Sequence, residues 1–143
     1  MIDSHAAVFA AVLGIFLAAH QAGDYWVQTS HQAATKHQPG WPGRIACAAH
    51  VGTYTLTLGG ALLAAMWWLQ MPLHPGWVCA GLMVSAVSHY WADRRTTLEA
   101  LASRLGLSGF YRAGTGLGSG AAHLDQAWHW VWLGVAALIV AGH

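Results

Sequence analysis

An all-α membrane protein, a bundle of four transmembrane helices with a short interfacial helix between the third and fourth, is the fold predicted by three observations. The chain has 143 residues, of which 56% are hydrophobic and only 8% charged, against the ~25% charged that a soluble domain carries. Its apolar residues gather into four stretches, each near the roughly 20 residues a helix needs to cross ~30 Å of hydrocarbon. Its basic residues crowd into two of the connections and leave the other ends bare. At this length a single domain, residues 1–143, is expected.

The first span is expected over residues 6–28, with an apolar body of AVFAAVLGIFLAA. The second covers 44–69 and is the weakest by hydropathy, because Thr53, Thr55 and Thr57 interrupt it. Its Gly59-Gly60-Ala61 and Ala64-Ala65 suit close helix contacts, as small residues do in membrane bundles. The third covers 76–97, after a tight turn bracketed by Pro72 and Pro75. Leu98, Leu101 and Leu105 recur at helical spacing, so this span is expected to run on as an interfacial helix. The RAGTGLGSG segment matches neither a P-loop nor a dinucleotide fingerprint and reads as a linker. The last span covers 121–141.

Lys36 and Arg44 flank the first connection, and Arg94, Arg95, Arg104 and Arg112 belong to the third. The positive-inside rule then puts both longer loops in the cytoplasm of a bacterial cell and both termini outside. A formal net charge of +1 argues against nucleic-acid binding, which needs a basic face. Cys47 and Cys79 fall near opposite ends of their spans, too far apart for a disulfide. The opening Met1–His5 lacks the basic n-region of a signal peptide.

The chemistry lies in short-spaced pairs. Span one ends in His20-Gln-Ala-Gly-Asp24, span three in His89-Tyr-Trp-Ala-Asp93, and span four opens with Asp125-Gln-Ala-Trp-His129. Span two adds His50, with Tyr54 one turn on. Residues four apart sit about 40° apart on one helix face, so both can reach one point. In an up-down-up-down bundle, His20, Asp24, His50, His89, Asp93, Asp125 and His129 all fall at one depth, in the cytoplasmic third of the bilayer.

Each Asp deep in a membrane helix costs about 2.5–3.5 kcal/mol, and the near cations expected are Arg94 and Arg95. A divalent ion offsets that cost, since structural zinc contributes roughly 10–16 kcal/mol. The donors exceed one tetrahedral site and suit two ions bridged by a carboxylate. Imidazole and carboxylate without thiolate fit Zn best, with Fe or Mn as alternatives. His5, His31, His37, His74 and His143, at ends and loops, read as hydrogen-bonding histidines between helices rather than as ligands. His123 faces away from the cluster. Gln28 and Gln126 suit orienting roles, and the tryptophans belt and packing roles.

The HxxxD, HxxxY, HxxxD-Arg-Arg and DQxxH motifs, carried by His20, Asp24, His50, His89, Asp93, Asp125, Gln126 and His129, resemble a family of small four-helix bacterial and phage membrane proteins without an assigned activity. More distantly the pattern is similar to membrane-bound metal-dependent hydrolases and to the soluble zinc phospholipase C and zinc nuclease bundles. That distant likeness implies phosphoester hydrolysis by analogy.

The expected function is therefore a two-metal hydrolase at the cytoplasmic membrane interface, acting on a lipid or lipid-linked phosphoester. A metal-bound water is its expected nucleophile. Tyr54 and Gln126 are candidate helpers, and Arg44, Arg94, Arg95 and Lys36 candidate phosphate ligands. The rival expectations are a membrane di-iron oxidoreductase on the same ligands, a metal or proton carrier, a holin or structural protein, and a bis-His haem site. The almost wholly apolar outer halves of spans one and four weigh against a carrier.

Overall fold

In the computed structural model, which describes residues 4–142, every regular element is helical and no strand forms among the described residues. Helix α1 (Ser4–Ala22) ends in a π turn, Gly23–Val27, closed by Gln28 N–H donating to the Gly23 carbonyl at 3.1 Å. A short α2 (Ser30–Thr35) follows, started by a capping box in which Thr29 and Gln32 satisfy each other's backbone N–H groups. Helix α3 (Gly40–Leu69) begins behind Pro39 and stops at Gln70, whose φ of 52° places it in the left-handed region. Pro75 in the first turn and a His74 ring nitrogen accepting from Gly76 N–H start α4 (Pro75–Asp93).

Contrary to expectation, the third span does not run on past its end. The chain breaks at Arg94-Arg95, where Arg95 has φ 54°, and resumes as α5 (Thr96–Arg104) and α6 (Ser108–Tyr111). Leu98 and Ala102 of α5 are buried against the bundle, so one face of this helix is spent on protein. Ser119 then caps α7 (Gly120–Ala141) by accepting from Ala122 N–H.

Helices α1, α3, α4 and α7 form a ring, each packed on its two neighbours. One half of its interior is apolar, filled by Val12, Phe16, Leu58, Leu62, Leu133 and Val140. The closest approach is between α4 and α7, where a Cβ on Gly81 would lie 2.6 Å from Val140 and 2.9 Å from the Ala136 carbonyl oxygen. Of the small residues expected to do this on α3, Ala61 packs against the core, while the two glycines make no such approach. Gly59 reaches only ordinary contact with Leu82, and the space beside Gly60 is open.

The outside of the bundle is apolar too. Leu56, Trp68, Val87 and Val131 stand exposed, Trp68 at 77%, an arrangement consistent with a membrane protein. Among the described residues, three helical segments are long and apolar enough to cross a membrane: His5–Val27, α3 and α7. The sequence pointed to the α3 stretch as the weakest, but α4 is the one that falls short. Two α3 threonines turn their hydroxyls back onto their own helix, Thr53 to His50 and Thr57 to Thr53, both at 2.9 Å. Helix α4 instead carries Ser85, Ser88, His89 and Asp93, all buried. These polar residues lower its hydropathy while pointing into the bundle.

Candidate metal centre

The C-terminal ends of α1 and α4 and the N-terminal ends of α3 and α7 meet at one end of the ring, which brings together all the His and Asp residues singled out by their spacing. The π turn at the end of α1 carries Asp24 into the cluster. Gly23 within that turn lies against the Tyr54 ring, where a Cβ would meet Cδ2 at 2.9 Å. An inserted π turn of this kind often re-aims side chains at functional sites.

Four donor atoms converge: His50 Nε2, His89 Nε2, Asp24 Oδ1 and Asp93 Oδ2. The two imidazole nitrogens are 3.1 Å apart. Each lies 3.3 Å from Asp93 Oδ2, and they lie 3.3 and 3.4 Å from Asp24 Oδ1. A tetrahedral zinc with bonds of about 2.0–2.2 Å has ligand-to-ligand edges of about 3.3–3.6 Å. Each neutral imidazole carries a single N–H, so with both rings neutral two hydrogens at most serve five close approaches, and the two carboxylates repel each other. A cation at the centre would turn these approaches into edges of a coordination shell.

Beside this tetrad, His20 Nδ1 lies 3.6 Å from Asp24 Oδ2 and His129 Nε2 lies 3.5 Å from Asp125 Oδ2. The His20 and His129 rings are 5.2 Å apart between centroids. Gln126 Oε1 accepts from His20 Nε2 at 3.2 Å, which leaves the Nδ1 lone pair facing Asp24. That Nδ1 is buried without a hydrogen-bond partner, as is His129 Nε2. The donors thus form groups that can hold a metal ion: His20 with Asp24 and His89, His50 with His89 and Asp93, and Asp93 with Asp125 and His129.

The supporting residues divide. Tyr54 lies over His89 with ring centroids 3.9 Å apart, and its hydroxyl meets Ser85 Oγ at 3.4 Å, so it packs the cluster from the apolar side. His123 is exposed, as expected from its register. Cys47 is buried and Cys79 exposed, both free. Trp91 and Trp128 stack between α4 and α7, and Trp128 donates to the Ser88 carbonyl.

The cations sit differently from expectation. Lys36, rather than Arg94 or Arg95, neutralises the buried Asp93, with Nζ 2.8 Å from Oδ1. Arg94 donates to the carbonyls of Lys36 and Gln38, at 2.5 and 2.7 Å, and so straps the α2–α3 connection over the cluster. Arg44 rests over the Trp41 ring. Arg95 is exposed at the α4–α5 break. On the same strap, His37 has its pKa lowered by burial and by Arg95, Lys36 and Arg94 nearby.

No family model matches this chain, and neither a curated protein nor a solved structure is found similar to it.

Proposed function

We propose that the chain is an integral membrane metalloprotein, with all four long helices crossing the bilayer, that hydrolyses a lipid-linked phosphoester at the cytoplasmic face. The observation that carries this reading is the convergence of Asp24, His50, His89 and Asp93, in which five donor–donor distances of 3.1–3.4 Å come near the edge lengths of a tetrahedral coordination shell. His20, Asp125 and His129 extend it to a second ion, with the two oxygens of Asp24 directed to the two positions. Zinc suits the donors best.

The membrane part rests on the exposed apolar flanks and on two aromatic girdles. Trp26 and Trp41 stand exposed at the ligand end, and Trp67, Trp68 and Trp77 at the other. Along α3, Trp41 to Trp67 spans about 39 Å at 1.5 Å per residue, close to a bilayer with its interfacial regions. Helix α4, too polar to be recognised by hydropathy, crosses with its polar side inward. All the basic residues lie in the connections at the ligand end, which makes that end cytoplasmic.

Bound ions would supply Lewis acidity and a water ionised near neutral pH. The chain's part is to hold the donors, to keep Asp93 fixed through Lys36, and to exclude bulk water with the Arg94 strap. The apolar interior of the opposite half favours a one-sided enzyme over a carrier, which needs a polar route across.

The test is hydrolysis of a diacylglycerol phosphoester in mixed micelles by the purified full chain. Turnover that is abolished by a chelator and restored by Zn²⁺ is expected. Metal-loaded protein that is inert on phosphoesters, with a visible band on iron binding, would overturn the hydrolase in favour of the oxidoreductase.

A further inference from the structure

Resting on the transmembrane placement of α3 and α4 proposed above, and needing no metal, we infer that the outer groove between these helices holds one anionic phospholipid. An acyl chain lies between the helices and the phosphate lies against Arg44 and Arg94. The groove has a volume of about 620 Å³, walled by Ala48, Val51 and Gly52 on α3 and by Ala86, Val87 and Tyr90 on α4. Ala48, Gly52 and Val87 are exposed, so it opens on the outside of the bundle. Small side chains make the hollow. Nothing lies within 4 Å of a Cβ added at Gly52.

Length and depth fit a single leaflet. On α3 the lining runs from Ala48 to Leu56, about 12 Å at 1.5 Å per residue, against roughly 15 Å for half a hydrocarbon core. Trp41, two turns before Ala48 and 72% exposed, marks the interface at that end. Thr55 and Tyr90 alone among the lining residues carry polar side-chain atoms. The space is one for hydrocarbon.

Charge decides which lipid. Arg44 lies one turn before Ala48 and Arg94 one turn after Tyr90, so each wall leads to an arginine at the ligand end. Arg94 reaches across to α3 beside Arg44: a Cβ added at Gly43 would lie 3.0 Å from its Nη1. Arg44 is exposed with its guanidinium over the Trp41 ring, and Arg94 donates to uncharged carbonyls. Neither has a carboxylate partner among the described residues. Two uncancelled cations at the mouth of an apolar groove favour an anionic headgroup. A second copy related by a two-fold axis along the groove would bring its own Arg44 towards this one, a like-charge approach that opposes such a dimer.

Native mass spectrometry of the purified full chain, offered equal amounts of phosphatidylglycerol and phosphatidylcholine in detergent, tests this. One phosphatidylglycerol per chain should be retained in preference to phosphatidylcholine. Arg44→Gln should lower that preference about fivefold, the effect of one basic group at a membrane surface, whereas Arg104→Gln on α5 should leave it unchanged. Gly52→Leu, which has room beside it, should fill the groove and reduce retention of both lipids. Equal retention of the two lipids by the wild type overturns the inference. So does a drop no larger in Arg44→Gln than in Arg104→Gln, or undiminished retention in Gly52→Leu. A dimer that Gly52→Leu dissociates gives the groove to a second copy and overturns it as well. Each of these results leaves the transmembrane placement standing; release of the chain from membranes by alkaline carbonate overturns both.

Discussion

The two halves of this bundle are held together by opposite means. In the half lined by Phe16, Leu58, Leu62, Leu133 and Val140, side chains of matching shape fill the interior. Neighbours there need only be close, as Gly81 and Val140 are. In the other half, equally buried, His20, His50, His89, Asp93 and His129 meet with partnerless nitrogens and oxygens. Such a cluster is costly on its own. Burial is thus the same in both halves while its energetic sign differs, and the polar half is the one that a bound cation would stabilise.

Variants should separate the halves, the largest effect coming from Asp93→Ala. It removes a donor from the tetrad and strands Lys36, whose side chain is 12% exposed. Breaking a buried pair costs about 3–5 kcal/mol, and the metal should be lost with it, as unfolding in detergent and elemental content would show. Phe16→Ala or Leu58→Ala in the apolar half should cost a similar ~3–5 kcal/mol or somewhat less, with metal stoichiometry unchanged. Loss of metal in these variants would mean that the halves are not independent. Gly81→Leu forces α4 from α7 and should cost about 1–3 kcal/mol, again at full metal content.

Smaller effects sharpen the division. Lys36→Met keeps the tetrad but frees Asp93 Oδ1, so metal affinity should drop roughly 10–100-fold, measurable by competition with a chromophoric chelator. Unchanged affinity would reduce Lys36 to a charge balance. Tyr54→Phe removes one long contact to Ser85 and should shift stability by only about 0.6 kcal/mol. A large loss of metal there would give the phenol a direct role.

Much of the cluster was legible because helical periodicity is local. The pairs His20/Asp24, His89/Asp93 and Asp125/His129 follow from spacing, and alternation of helix direction brings them to one end. What spacing could not carry was long-range. The Lys36–Asp93 pair joins two distant parts of the chain. The π turn that aims Asp24 depends on Gly23 meeting Tyr54 on another helix. Arg95 at positive φ has no local signal, since a bulky side chain rarely adopts it, so the α4–α5 break was read as a continuous helix. Helix α4 falls short in mean hydropathy because that index cannot tell Ser88 and His89 turned inward from the same residues turned outward.

The central claim, that the buried His–Asp cluster is a metal centre, is tested most directly by elemental analysis of the purified wild type beside Asp93→Ala and His129→Ala. Purification must avoid chelators. Two equivalents of one metal in the wild type, with fewer in each variant, are expected. Wild-type protein that is folded, monodisperse and metal-free would contradict the account.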